Sequence, residues 1–178
     1  GKVVAATAAP LFKKLSLELG GKNASIVLED ADLQLTVPGV LRASFLNSGQ
    51  ICLCGSRVLI HEAIYEEFLQ MYLSKLKDFK IGPVISRQHR DKVQSYIELA
   101  KQEGGQIVAG GKVIEKDGAW IEPTVITGLS HKSRTATEEI FGPVVTIHKF
   151  STNQAAISMA NSPHYGLAGS GWSQSMGQ

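Results

Sequence analysis

Cysteine is scarce in this 178-residue chain. Only Cys52 and Cys54 occur, and a spacing of two is poor for an unstrained disulfide and falls short of the four ligands of a structural zinc site. No metal-ligating cluster is visible elsewhere. Such cysteine usage fits a reducing compartment, and the cytoplasm is expected. Excess charge of either sign is also missing: 18 Lys and Arg against 16 Asp and Glu leave a net +2. Nucleic-acid binders usually concentrate positive charge on one face, so no nucleic-acid partner is expected. No run approaches the about 18 apolar residues of a membrane span, and no membrane partner is expected either. Internal repeats, low-complexity tracts and a Gly-x-Gly-x-x-Gly fingerprint after a strand are all absent. The chain starts at Gly1 rather than Met and stops openly at Ser175-Met176-Gly177-Gln178, so we expect a piece of a longer protein.

What is present can fill a core: 43% of residues are hydrophobic and 19% charged, outside the range of disordered chains. The length fits one domain, or one domain and part of another. Small residues over 2–9 read as the end of a helix stopped at Pro10. Short apolar runs over 16–19 and 25–28, broken by Gly20-Gly21, read as two short strands or extended pieces. Asp32 is a natural N-cap for a helix to about residue 46, with Pro38 kinking it or starting its regular part. Residues 57–61 read as a strand. Helical periodicity marks 63–79 through Ile64, Phe68, Met71, Tyr72, Leu76 and Phe79, and 87–103 through Val93, Tyr96, Ile97 and Ala100. Gly104-Gly105 closes the second helix. Strands follow over 106–109, 121–127 and 144–150, then a helix over 153–161 and a strand over 167–172. Alternating strands and helices predict an α/β fold with a mostly parallel sheet and flanking helices.

Three segments carry chemistry. In Leu17-Glu18-Leu19-Gly20-Gly21-Lys22-Asn23, a single carboxylate sits in an apolar run beside two glycines. Burial raises a carboxylate pKa toward that of a general base, and glycines permit close approach of a ligand or backbone. The same residues also read as a strand end with a partly solvated Glu. In Phe45-Leu46-Asn47-Ser48-Gly49-Gln50-Ile51-Cys52-Leu53-Cys54, a thiol follows a helix and a Gly-containing turn, where backbone amides and local positive potential favour the nucleophilic thiolate. Two small buried hydrophobes is the alternative. Cys54 is open between spectator, redox partner and metal ligand. In Thr137-Glu138-Glu139-Ile140-Phe141-Gly142-Pro143-Val144, Glu139 offers acceptors to a sugar diol and Phe141 a surface for a flat ring. A solvated acidic helix end with Phe141 in the core is the alternative.

Together, and in this order, the segments resemble the aldehyde dehydrogenase superfamily. The motifs are Leu17-Glu18-Leu19-Gly20-Gly21-Lys22, Gly49-Gln50-x-Cys52 and Glu138-Glu139-Ile140-Phe141-Gly142-Pro143. Glu122-Pro123-Thr124, Asn161 and Tyr165-Gly166-Leu167-Ala168 add to them, so the likeness runs from Gly1 to the last residue. The Ile51-Cys52-Leu53-Cys54 text is most similar to the muconic semialdehyde branch. The resemblance implies an NAD- or NADP-dependent oxidation of an aldehyde to an acid. Cys52 is then the nucleophile that forms a thiohemiacetal and later a thioester. Its backbone N–H helps hold the oxyanion, and Glu18 activates the hydrolytic water. Glu139 is implied at the nicotinamide ribose, with Phe141, Leu19 and Gly20 beside the cofactor. The partners implied are a small-molecule aldehyde and, as in the family, further copies in a homo-oligomer.

The resemblance also implies what is missing. Residues 1–21 match the C-terminal remnant of the cofactor-binding, Rossmann-like domain, and 22–178 a truncated catalytic domain. The family's oxyanion-hole Asn, its ribose-binding Lys and its C-terminal oligomer strand have no counterpart here. An extra family loop is absent where Lys80-Ile81-Gly82 runs into Pro83-Val84-Ile85-Ser86. The isolated chain is therefore expected to be inactive as a dehydrogenase, and a non-catalytic module pairing with full-length homologues is the alternative. The central expectation is spatial: Cys52 and Glu18 face one cleft.

Overall fold

The computed structural model describes residues 1–175. Six strands form one sheet: β1 (Ala24–Val27), β2 (Arg57–His61), β3 (Gln106–Ala109), β4 (Thr124–Thr127), β5 (Val144–Phe150) and β6 (Gly169–Trp172). Their order is β3-β4-β5-β2-β1-β6. Only β3 and β4 are antiparallel; the other neighbours run parallel. The α/β class and the mostly parallel sheet expected from the sequence are thus observed.

Helices cover both faces, which is why the central strands read as continuous apolar runs. Val58 and Ile60 of β2 join Val145 and Ile147 of β5 in a core closed by α2 (Leu33–Phe45) and α3 (Tyr65–Leu76). On the other face Val144 and Ile126 meet Val93, Ile97 and Ala100 of α4 (Arg87–Gln102). Leu59 and Phe150 there meet Ala156 of α6 (Asn153–Ala160).

Local chemistry accounts for the helix ends. The Asp32 carboxylate accepts from the Gln34 N–H at the start of α2 (2.9 Å). Ser86 Oγ accepts from the His89 N–H at the start of α4 (3.1 Å). That helix ends on Gly104 at φ +86°, with the Gly105 N–H returning to the Ala100 carbonyl (2.8 Å); the left-handed position suits glycine.

Several expected elements differ. Residues 16–19 form no strand and run as an exposed segment; β1, the strand they lead toward, pairs with β2 on one edge and β6 on the other. Helix α3 starts later than its apolar period, after a 3-10 turn over Glu62–Ile64. Ile121 makes only an isolated bridge to Val113. Helix α2 continues through Pro38. The short α5 (Arg134–Thr137) carries too few residues to show a period. At the start, α1 (Lys2–Ala8) buries no side chain, and Val3 and Phe12 are 79% and 95% exposed. Among the described residues no helix is long and apolar enough to cross a membrane. Met176, Gly177 and Gln178, which bear on the open chain end, lie outside the described residues.

One topological fact positions the site. The three motif segments each precede a strand: Gly20-Gly21 leads into β1, Cys52 into β2 and Phe141 into β5. Because these three strands are parallel neighbours, the segments converge on the amino edge of the sheet. Open α/β sheets more often bind ligands outside the carboxyl edge.

Candidate functional site

Convergence is complete for the six residues singled out from the sequence. Glu18, Leu19, Gly20, Cys52, Glu139 and Phe141 line one cavity of about 430 Å³, with Gln50 and Ile51. That volume lies in the range of small-molecule sites.

Cys52 is held by a backbone of unusual shape. After α2 a 3-10 turn covers Leu46–Gly49. Within it Asn47, Ser48 and Gly49 are all left-handed, with φ of 51°, 58° and 73°. Such a run persists only when neighbours fix it, and here they do. Asn47 Nδ2 donates to the Gln50 carbonyl, and Gln50 Nε2 donates back to the Asn47 carbonyl, each at 3.2 Å. Ser48 Oγ donates to the Gly82 carbonyl (2.8 Å), and Gln50 Oε1 accepts from the Ile85 N–H (2.8 Å). The connection between α3 and α4 thereby braces the thiol loop. A reverse turn follows, closed by the Cys54 N–H on the Ile51 carbonyl (3.0 Å). Cys52 is partly exposed, whereas Cys54 is buried and its thiol is pushed up by burial.

Glu139 is fixed by the glycine pair. Its Oε1 accepts from the Gly21 N–H (2.9 Å), and its Oε2 lies 2.4 Å from where a Cβ on Gly20 would stand. The carboxylate occupies the space that a side chain at position 20 would take. A Cβ on Gly21 would lie 2.5 Å from the Cys52 carbonyl oxygen. The two glycines thus admit two neighbours, a carboxylate and a backbone. Phe141 sits at φ 60°, held by His89 Nε2 donating to its carbonyl (2.5 Å). The residue is 38% exposed, so it is not in the core.

Glu18 departs from the sequence reading in its surroundings. It lies in an exposed segment without regular secondary structure rather than in a buried apolar strand, so the enclosure that motivated a general base is not supplied by these residues.

Sequence reasoning assigned no role to Lys22, Asn23 or Arg57, all buried. Lys22 Nζ has no hydrogen-bond partner among the described residues; burial, and then the Arg57 cation, push its pKa from 10.5 down to about 7. Arg57 uses its whole guanidinium on carbonyls: Nε to Lys22 (2.9 Å), Nη1 to Met159 (2.7 Å) and Nη2 to Ala160 (2.8 Å). The one available signal was a charged residue at the head of an otherwise apolar strand.

Comparison with known proteins agrees with this geometry. All of residues 1–178 match the aldehyde dehydrogenase family. A 2-aminomuconic 6-semialdehyde dehydrogenase of a Pseudomonas species is 43% identical over 191 residues, covering 99% of this chain and 39% of that protein. The betaine aldehyde dehydrogenase of Bacillus subtilis is 40% identical over 188 residues, covering 98% of this chain and 38% of its own. Crystallised betaine aldehyde dehydrogenase of Staphylococcus aureus, in complex with NAD+, superposes with a TM-score of 0.91 at 41% identity, covering 99% of this chain and 38% of that one. The chain therefore spans about two fifths of the length of the relatives it matches. By its sequence over all 178 residues, and by its fold, this chain belongs to the aldehyde dehydrogenase family.

Proposed function

We propose that this chain carries the thiol and carboxylate part of an NAD- or NADP-dependent oxidation of an aldehyde to an acid, within a longer protein. The observation that carries the reading is the shared cavity of Cys52, Glu18 and Glu139. Cys52 sulfur attacks the aldehyde carbon and forms the thiohemiacetal. The N–H of Cys52 donates to no other group among the described residues, and it is available to the developing oxyanion. A nicotinamide dinucleotide, when bound, supplies the hydride acceptor that leaves Cys52 acylated as a thioester. Glu18, on the same cavity wall, takes the proton of the water that hydrolyses that thioester.

The residues present fit the nicotinamide-ribose end of such a cofactor. Glu139 is anchored through one oxygen, and its other oxygen is left for a diol. Phe141 offers an exposed ring face, and Leu19 and Gly20 complete that wall. We assign residues 1–21 to the cofactor-side domain and 22–178 to the catalytic one, in keeping with an α1 that buries nothing. The relatives' names span muconic and betaine aldehydes at similar identity, and the aldehyde class is the level this reading reaches. A homo-oligomer in the cytoplasm is the state we propose for the longer protein.

The isolated 178-residue chain should form no NADH from an aldehyde, since it holds only this end of the cofactor site. It should still release p-nitrophenol from p-nitrophenyl acetate, with acetyl-Cys52 detectable by mass spectrometry. Glu18→Gln should leave acylation intact and slow deacylation. Release of p-nitrophenol at an undiminished rate from Cys52→Ala would remove the reading. A second reading is favoured by the exposed Val3, Leu11 and Phe12, an apolar surface of the kind that partners cover: a module that pairs with full-length homologues. Copurification with such a homologue tests it, and a non-binding monomer would exclude it.

A further inference from the structure

Asn23 stands where three loops of the amino edge meet. The residue is 5% exposed, and both ends of its side-chain amide are engaged. Nδ2 donates to the carbonyls of Cys52 (2.6 Å) and Cys54 (3.1 Å). Oδ1 accepts from the Ala168 N–H (3.0 Å). The two carbonyls flank Leu53 in the reverse turn that presents the thiol. Asn23 itself cannot drift, because its own carbonyl accepts from the Arg57 N–H (3.2 Å) and the next residue, Ala24, opens β1 between β2 and β6. The missing side chain of Gly21 lets the Cys52 carbonyl come this close.

We propose that Asn23 is a positioning residue for the Cys52 thiol, acting through the carbonyls of Cys52 and Cys54. A trans peptide fixes its N–H opposite its C=O. Drawing the Cys52 carbonyl toward Asn23 therefore turns the Leu53 N–H away and sets the torsion that aims the Cys52 side chain. Drawing in the Cys54 carbonyl keeps the second thiol under Leu46, whose carbonyl lies 3.8 Å from Cys54 Sγ. One amide thus separates the two thiols, presenting one and hiding the other. The proposal rests on the reading of Cys52 as the nucleophile.

Iodoacetamide labelling of the native 178-residue chain, with rates at Cys52 and Cys54 read by peptide mass spectrometry, tests it. The parent should label Cys52 well ahead of Cys54. Asn23→Ala should narrow that ratio by about tenfold, as expected for one or two lost hydrogen bonds, and should slow acetylation of Cys52 by p-nitrophenyl acetate. Asn23→Ser, which keeps one donor, should recover part of both. Ile60→Val, a core change on the far half of β2, should lower the melting temperature yet leave the ratio alone. An unchanged ratio in Asn23→Ala, or an equal narrowing in Ile60→Val, overturns the proposal. Should Asn23→Ala fail to fold, Asn23→Ser decides: a ratio equal to the parent's overturns the proposal, and an intermediate one supports it. Parent ester hydrolysis that does not depend on Cys52 would sink the functional reading instead, while the labelling ratio would still judge Asn23.

Discussion

Acid should weaken this fold through one buried ring. His148 on β5 is 5% exposed, with Nε2 3.0 Å from Thr146 Oγ1. Burial first, and then the Arg57 cation, push its pKa from the ordinary 6.5 down to about 4. Between those values the unfolded chain binds a proton that the folded chain refuses. The stability contributed by the neutral ring is complete above pH 6.5 and is lost as pH falls toward 4. At about 1.4 kcal/mol per pH unit the full loss is about 3 kcal/mol, a large share of the roughly 5–15 kcal/mol of a typical domain. Urea unfolding followed by circular dichroism at pH 7 and pH 5 would measure it, on the parent and on His148→Gln. The parent should lose about 2 kcal/mol more than the variant over that interval. Equal losses in the two proteins would refute the reasoning.

Two glycine substitutions should separate backbone from side-chain contacts. Gly49→Ala places a Cβ at φ +73° and 2.2 Å from the Gly142 carbonyl oxygen; two backbones must part, and the urea midpoint should fall by the equivalent of about 3 kcal/mol. Gly20→Ala meets only the carboxylate end of the Glu139 side chain, at 2.4 Å, which can turn away where a backbone cannot, so stability should change by about 1 kcal/mol or less. The Gly21 amide resonance in a ¹⁵N correlation spectrum should nevertheless shift, because Glu139 must leave its hydrogen bond.

Much of the fold was legible where local chemistry decides it. Strands β2 and β5 fall where their apolar runs put them, since both of their faces are covered. The capping residue Asp32 and the closing Gly104-Gly105 act within a few residues of themselves. The segment over 16–19 joins no ladder, and strand propensity alone could not decide between a paired strand and an unpaired piece of chain. Grouping Cys52, Glu18 and Glu139 was possible only through the whole set of motifs, for no single segment excluded its plainer alternative. Asn23 and Arg57 were out of reach because their partners lie 29 to 145 and 35 to 103 positions away. Their side chains satisfy backbone groups that carry no signature in sequence.

The guanidinium of Arg57 has a consequence for how this molecule comes apart. It ties the last turn of α6 to the carbonyl of Lys22, next to the glycine pair. Fraying of that helix end withdraws two of its three anchors and leaves the Lys22 carbonyl as the one that remains. Heat should dissolve the cleft and this remote helix as a single cooperative body, so that deuterium uptake in α6 becomes a distant gauge of whether the rim around Cys52 is intact.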